Sequence, residues 1–204
     1  MEESEMAKIG ILVRHAKHGE AAKNVLNVDQ YSILRDLGVA LKDQGYEIKR
    51  VVSSPQWRAL STAIEILKGY GTMVPLSECE NRLGDMSNET DVDVDALKQA
   101  AADANVGVEP YLLQYKPLKD LVQRRGIEGA QALREAAAAT TDGKAFLAVS
   151  HGGARIETTV MELEGLKAVD DEPPFLAEEC SVTLLYFEED STYIRHEHIG
   201  IPVE

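Results

Sequence analysis

The chain is predicted to be an α/β protein with a mainly parallel central sheet and helices on both faces. Two observations predict this. Short β-like apolar runs alternate with segments of helical spacing along most of the 204 residues, and turn residues such as Gly45 and Ser53-Ser54-Pro55 punctuate them. In addition, three of the β-like runs end abruptly in polar, chemistry-bearing residues, as strands of an open sheet do at their carboxyl ends.

In chain order, residues 8–13 (KIGILV) read as a buried strand that runs directly into Arg14-His15. Residues 32–44 read as a helix, with Gly45 just beyond its end. Residues 48–52 form the second expected strand, broken by Ser53-Ser54-Pro55. Helical spacing follows over residues 56–68, with Gly69 and Gly71 as stop signals, and residues 73–76 are expected to form a short third strand. From 77 to about 141 the chain changes character and becomes richer in Asp, Glu, Asn and Ala. Helices are expected near residues 94–104, 118–125 and 130–139, and the stretch of about 86–141 reads as an insertion capping the mouth of the sheet within a single 1–204 domain. The β/α pattern resumes with KAFLAVS at 144–150, a helix over 154–166, and terminal strands near 182–187 and 192–199.

Composition narrows the function. Asp and Glu outnumber Lys and Arg by 35 to 21, a formal net charge of −14. Nucleic acid and anionic membranes both require a basic footprint, so neither is an expected partner. The acidic start MEESEMAKIGILV lacks the basic segment of a signal peptide, and no apolar run approaches the ~20 residues that span a bilayer. The sequence therefore reads as cytoplasmic. Cys79 and Cys180 suggest neither a disulfide framework nor a zinc site. A surface this negative also repels phosphorylated molecules at long range, so a phosphate site would have to concentrate its positive charge locally.

The strand ends supply such a concentration. The first delivers Arg14 and His15; the second delivers SSPQWR with Arg58 at the start of a helix; the third delivers Ser150-His151-Gly152-Gly153. Two histidines and two arginines are thus expected at one edge of one sheet. Phosphoryl transfer calls for these residue types. A neutral imidazole nitrogen can attack phosphorus near neutral pH. Arginine forks bind phosphoryl oxygens bidentately and stay charged. A second histidine, if protonated, adds a donor where charge sits in the transition state. Glycines after His151 let backbone N–H groups come close to the oxygens.

LVRHAKHGE resembles the RHG or RHA signature of the histidine phosphatase superfamily, SSPQWRALSTA its second block, and VSHGG its third. The resemblance spans roughly residues 8–160, with weaker support from ECSVTLLYF. It implies a phosphoglycerate mutase-like fold, and Ala16 in place of glycine is similar to the smaller phosphohistidine phosphatase branch. It further implies His15 as nucleophile, Arg14 and Arg58 as phosphate ligands, and His151 completing the site with Gly152. The family's proton donor falls in a segment that here reads Asn81-Arg82-Leu83-Gly84-Asp85, which points to Asp85, with Glu80 and Glu78 as neighbouring competitors. No metal or cofactor is implied. The substrate expected is a small phosphorylated molecule or a phosphohistidine protein.

Other features have plainer readings. Asn24 lies further along than the family's substrate-binding Asn, and His18 reads as a solvated loop histidine, with a place in the pocket as the alternative. His196 and His198 read as packing residues of a strand rather than a metal pair. The acidic run Asp91-Val92-Asp93-Val94-Asp95 reads as a helix N-terminal charge cluster, lacking the Gly and terminal Glu of a calcium loop. Trp57 is expected to pack beside the phosphate loop, with a substrate-facing position as the alternative. The competing functions are a phosphomutase and a non-catalytic phospholigand binder; the first lacks mutase-specific blocks, and the intact Arg14, His15, Arg58 and His151 argue against the second, because a retired enzyme is free to lose them.

Overall fold

The computed structural model describes residues 8–18, 26–72, 74–85, 93–107, 111, 118–152, 154–167 and 173–200. Asn24, Met73, Asp91, Val92 and Gly153, each singled out above, lie outside them.

Among the described residues, six strands form one sheet in the order β3-β2-β4-β1-β5-β6. They are β1 (Lys8–Arg14), β2 (Ile48–Ser53), β3 (Glu78–Cys79), β4 (Lys144–Ser150), β5 (Val182–Phe187) and β6 (Tyr193–Gly200). The first four run parallel; β5 and β6 are antiparallel additions at one side. Register places Arg14 beside Ser150 and Ser53 beside both Val149 and Cys79, so four strands end at a common edge.

The central strands are buried on both faces and their side chains alternate between two cores. Ile11, Val13, Val51, Leu147 and Val149 face one side, where helices α1 (Gln30–Asp43) and α2 (Trp57–Tyr70) cover them with Leu34, Leu37, Leu41, Ala59, Ala63 and Ile66. The spacing of Leu34, Leu37 and Leu41 puts all three on one helical stripe. Leu12, Val52, Phe146 and Ala148 face the other side, under α4 (Lys119–Ala138) and α5 (Arg155–Leu163). A further helix, α3 (Val94–Asp103), is N-capped by Asp93, whose side chain accepts from the N–H groups of Asp95 and Ala96.

The structure redraws three boundaries. Gly69 does not stop α2; the helix continues to Tyr70 and ends at Gly71, which is left-handed at φ 72°. A Cβ on Gly69 would lie 1.9 Å from the Arg35 carbonyl oxygen, so this glycine lets α1 and α2 touch. The two helices expected at 118–125 and 130–139 are the single helix α4, because Gly126 and Gly129 inside it pack directly on Thr158 and Thr159 of α5. The short third strand lies at Glu78–Cys79 rather than 73–76, where it can pair with Val52 and Ser53. The region expected to cap the sheet therefore divides. Its second half, α4, belongs to a sheet-covering layer through Ala130, Leu133, Ala136 and Ala137, while Leu97 of α3 joins a smaller cluster with Val122, Ala154 and Met161. No helix among the described residues is long and apolar enough to cross a membrane.

Candidate active site

Arg14 and His15 leave β1 side by side. The His15 N–H is tied to the Ser150 carbonyl at 2.9 Å, which clamps the loop to the end of β4. Its neighbour Ala16 donates to the Thr62 hydroxyl at 3.0 Å, and that hydroxyl donates in turn to the Arg58 carbonyl at 2.8 Å. Thr62 thus fixes the His15 loop against the first turns of α2.

The imidazole of His15 is almost fully buried. Its Nδ1 lies 2.8 Å from the Ala16 carbonyl, an acceptor only, so Nδ1 carries the proton. Nε2 keeps its lone pair, which accepts from Nε of Arg58 at 3.2 Å. Burial is the main reason the pKa of His15 falls to about 4. The Ala16 hydrogen bond pulls the other way, Arg58 and Arg14 lower it further, and Asp85 raises it. The ring is therefore neutral at physiological pH, with an unprotonated Nε2.

Arg58 also donates to Asp85 through Nη2, forming a half-buried ion pair. Arg14 donates from Nη1 to the Ala177 carbonyl and approaches Glu179 at 3.5 Å. Its guanidinium lies flat against Gly152, where a Cβ would sit 2.3 Å from Cζ. Gly152 is required there for close approach. His151 is 1% exposed, and its ring centroid is 4.8 Å from that of His15. Its Nε2 meets the Ser54 hydroxyl at 2.7 Å. Burial, then His15, then Arg58, Arg155 and Arg14 all push its pKa down. These surroundings disfavour the protonated form of His151 in the free protein.

The sequence left three carboxylates as candidates for the acid, and the structure separates them. Glu80 accepts from the Arg82 backbone N–H and from two guanidinium nitrogens of Arg82. Those bonds hold its pKa down, so it stays a carboxylate. Glu78 is exposed on the edge strand and faces Arg50 at 3.5 Å. Only Asp85 is linked to His15, through Arg58. The loop bearing it is anchored by Ser150, whose hydroxyl donates to the Leu83 carbonyl at 2.9 Å.

His18 departs from its expected solvated position: its ring is half-buried and stacks over His15 at 6.1 Å between centroids. Trp57 stands at the start of α2, directly after the Ser54 loop, and is more than half exposed. His196 pairs with Glu164 at 2.8 Å, and His198 lies 2.9 Å from the Thr183 hydroxyl with Phe175 stacked on it. Among the described residues no cluster of three or more metal-ligating side chains occurs.

This edge of the sheet brings together two buried imidazoles, two arginines and a carboxylate, an arrangement suited to holding an oxyanion against a neutral nitrogen. A sequence profile of the histidine phosphatase superfamily (branch 1) matches residues 11–199. The chain belongs to this superfamily. Solved structures similar to this histidine phosphatase superfamily member include a phosphoglycerate mutase from Bacillus anthracis str. Sterne, with 22% identity, a TM-score of 0.63, and 96% of this chain and 95% of that one covered. Bacillus stearothermophilus YhfR is similar at 19% identity and a TM-score of 0.61, covering 97% and 96%. The protein histidine phosphatase SixA, complexed with tungstate, is similar at 19% identity and a TM-score of 0.51, covering 93% and 96%. At these identities the likeness is one of fold, and the fold is phosphoglycerate mutase-like. Comparison with curated proteins gave no match.

Proposed function

We propose that the protein is a phosphatase that hydrolyses a phosphomonoester or a phosphohistidine through a covalent phosphohistidine on His15. The observation that carries this reading is the state of His15: buried, neutral, with Nδ1 satisfied by Ala16 and the lone pair of Nε2 beside Arg58. Nε2 attacks phosphorus, forming the N–P bond as the bond to the leaving atom breaks, an oxygen in a phosphomonoester and an imidazole nitrogen in a phosphohistidine. Arg14, Arg58, His151 and the Gly152 N–H hold the phosphoryl oxygens. The incoming dianion takes over the donors of Arg58, and negative charge beside Asp85 favours the protonated form a general acid needs. Asp85 gives that proton to the leaving oxygen or nitrogen. Water then attacks phosphorus, returning a proton to Asp85 and releasing phosphate with His15 restored.

The positive charge in this scheme comes from arginines, so no metal enters it. Structures similar in fold include a protein histidine phosphatase and a mycobacterial glucosyl-3-phosphoglycerate phosphatase beside the phosphoglycerate mutase, and the lack of mutase-specific blocks in the sequence is what favours hydrolysis. His15→Ala is expected to abolish hydrolysis of an aryl phosphate while circular dichroism stays that of the folded protein. Turnover within tenfold of wild type removes His15 from the nucleophilic role.

A further inference from the structure

Ser54 follows the end of β2 and is completely buried. Its backbone is pinned by a hydrogen bond from its N–H to the Val149 carbonyl at 2.9 Å, so the side chain emerges from a fixed point. The hydroxyl oxygen has two partners among the described residues: the Gln56 backbone N–H at 3.3 Å and Nε2 of His151 at 2.7 Å.

A serine hydroxyl carries one proton and two lone pairs, and a backbone N–H can only donate. Gln56 therefore occupies a lone pair, and among the described residues the acceptor within reach of the Ser54 proton is Nε2 of His151. With Nε2 accepting, the single proton of the neutral imidazole must be on Nδ1. Nδ1 is buried and has no hydrogen-bond partner among the described residues, in a ring 4.8 Å from His15.

We infer that Ser54 is a positioning residue that fixes His151 in its neutral Nδ1–H tautomer, making this histidine an uncharged donor to the phosphoryl group. The destination of that donor rests on the phosphatase reading above; the tautomer does not. Placing a second proton on the ring would put it on Nε2, against the Ser54 hydroxyl, and would strip that buried hydroxyl of its acceptor. Burial and the cationic neighbours Arg58, Arg155 and Arg14 oppose the second proton as well. The division of labour that follows is specific: the arginines supply the charge, while His151 supplies a directed N–H whose donor capacity does not titrate across the neutral range.

The test is nitrogen NMR on the full-length, 15N-labelled protein at neutral pH, with His151 assigned by the signals lost in His151→Gln. The expected result is a protonated, pyrrole-type Nδ1 and an unprotonated, pyridine-type Nε2. An Nε2–H tautomer, or a cationic ring with both nitrogens protonated, overturns the inference. Ser54→Ala adds a second arm. It is expected to give a mixture of tautomers at His151 and to weaken binding of inorganic phosphate by about tenfold, the effect of misdirecting one hydrogen bond. Retention of both the Nδ1–H tautomer and the wild-type phosphate affinity in Ser54→Ala overturns the assignment of Ser54. Should that variant fail to fold, the wild-type spectrum still decides the tautomer. If His15→Ala remains active while His151 shows the Nδ1–H form, the phosphatase mechanism fails and the tautomer assignment stands.

Discussion

At the scale of single residues, His15 balances burial against use. A nucleophilic imidazole must be neutral, and burial lowers its pKa to about 4 from an ordinary 6.5. The sign of the linkage follows. Above pH 6.5 both folded and unfolded chains hold a neutral His15, and the group contributes nothing to the pH dependence. As pH falls from 6.5 towards 4, the unfolded chain takes up a proton that the folded one refuses, so stability declines by on the order of 3 kcal/mol from this group. An NMR titration of His15 should therefore show a midpoint near 4, with urea stability falling over the same window. A midpoint near 6.5 contradicts the buried, neutral nucleophile. Asp85 carries a different prediction, because a general acid matters most for a poor leaving group. Asp85→Asn should slow an alkyl phosphate by on the order of 10²-fold while comparatively sparing a nitrophenyl ester that departs without help. Equal losses on both substrates assign Asp85 to binding through Arg58 instead.

At the scale of elements, glycines at helix contacts decide how closely the layers approach. Gly38 of α1 and Gly69 of α2 face each other's backbones; added Cβ atoms would lie 2.0 Å from the Ile66 carbonyl oxygen and 1.9 Å from that of Arg35. Alanine normally favours a helix over glycine by about 1 kcal/mol. Here the neighbour is backbone and cannot swing aside, so the clash wins. Gly69→Ala should be net destabilising by roughly 1–3 kcal/mol, read as a lower urea midpoint, with some loss of activity because α2 carries Arg58. A raised midpoint would show that the two helices can separate freely. The same glycines explain where the sequence misleads. A glycine that stops a helix and one that admits a neighbouring helix are identical locally, which is why Gly69 reads as a terminator and why Gly126 and Gly129 divide α4 into two. The strands β1 and β4 were legible almost to the residue because their apolar runs are continuous. The two-residue β3 was not, since its position is set by pairing with Val52 and Ser53 rather than by its own composition. In the site, Arg14, His15, Arg58 and His151 are legible because each sits at a strand end or helix start. Ser54, Thr62 and Ser150 are present in the same motifs, yet their partners lie 97, 46 and 67 residues away. Only the folded chain shows what those hydroxyls hold.

At the scale of the whole molecule, a chain of net charge −14 gathers Arg14 and Arg58 at one edge of the sheet, and the two fields oppose each other. An approaching phosphate dianion feels the whole acidic surface when salt is scarce, because the screening length is about 30 Å at 0.01 M. At about 0.15 M that length shrinks to about 8 Å, and the anion responds mainly to charges close to it. Arg14 and Arg58 are then the nearest strong sources, whereas most of the acidic residues are screened. The usual behaviour of an anion-binding site, in which salt weakens attraction, should therefore be inverted over this range. We expect kcat/KM for a phosphomonoester to rise severalfold between about 10 mM and about 150 mM of a salt whose anion competes poorly for the site. The rise should lie in kcat/KM, which includes the encounter, and leave kcat nearly constant. The comparison that isolates the cause is a variant with several surface carboxylates remote from β1, β2 and β4 converted to amides, which should flatten the salt response without altering kcat. A steady fall of kcat/KM over the same salt range in the parent protein would mean that the arginine cluster dominates the field even at long range. The acidic surface would then impose no barrier on the substrate.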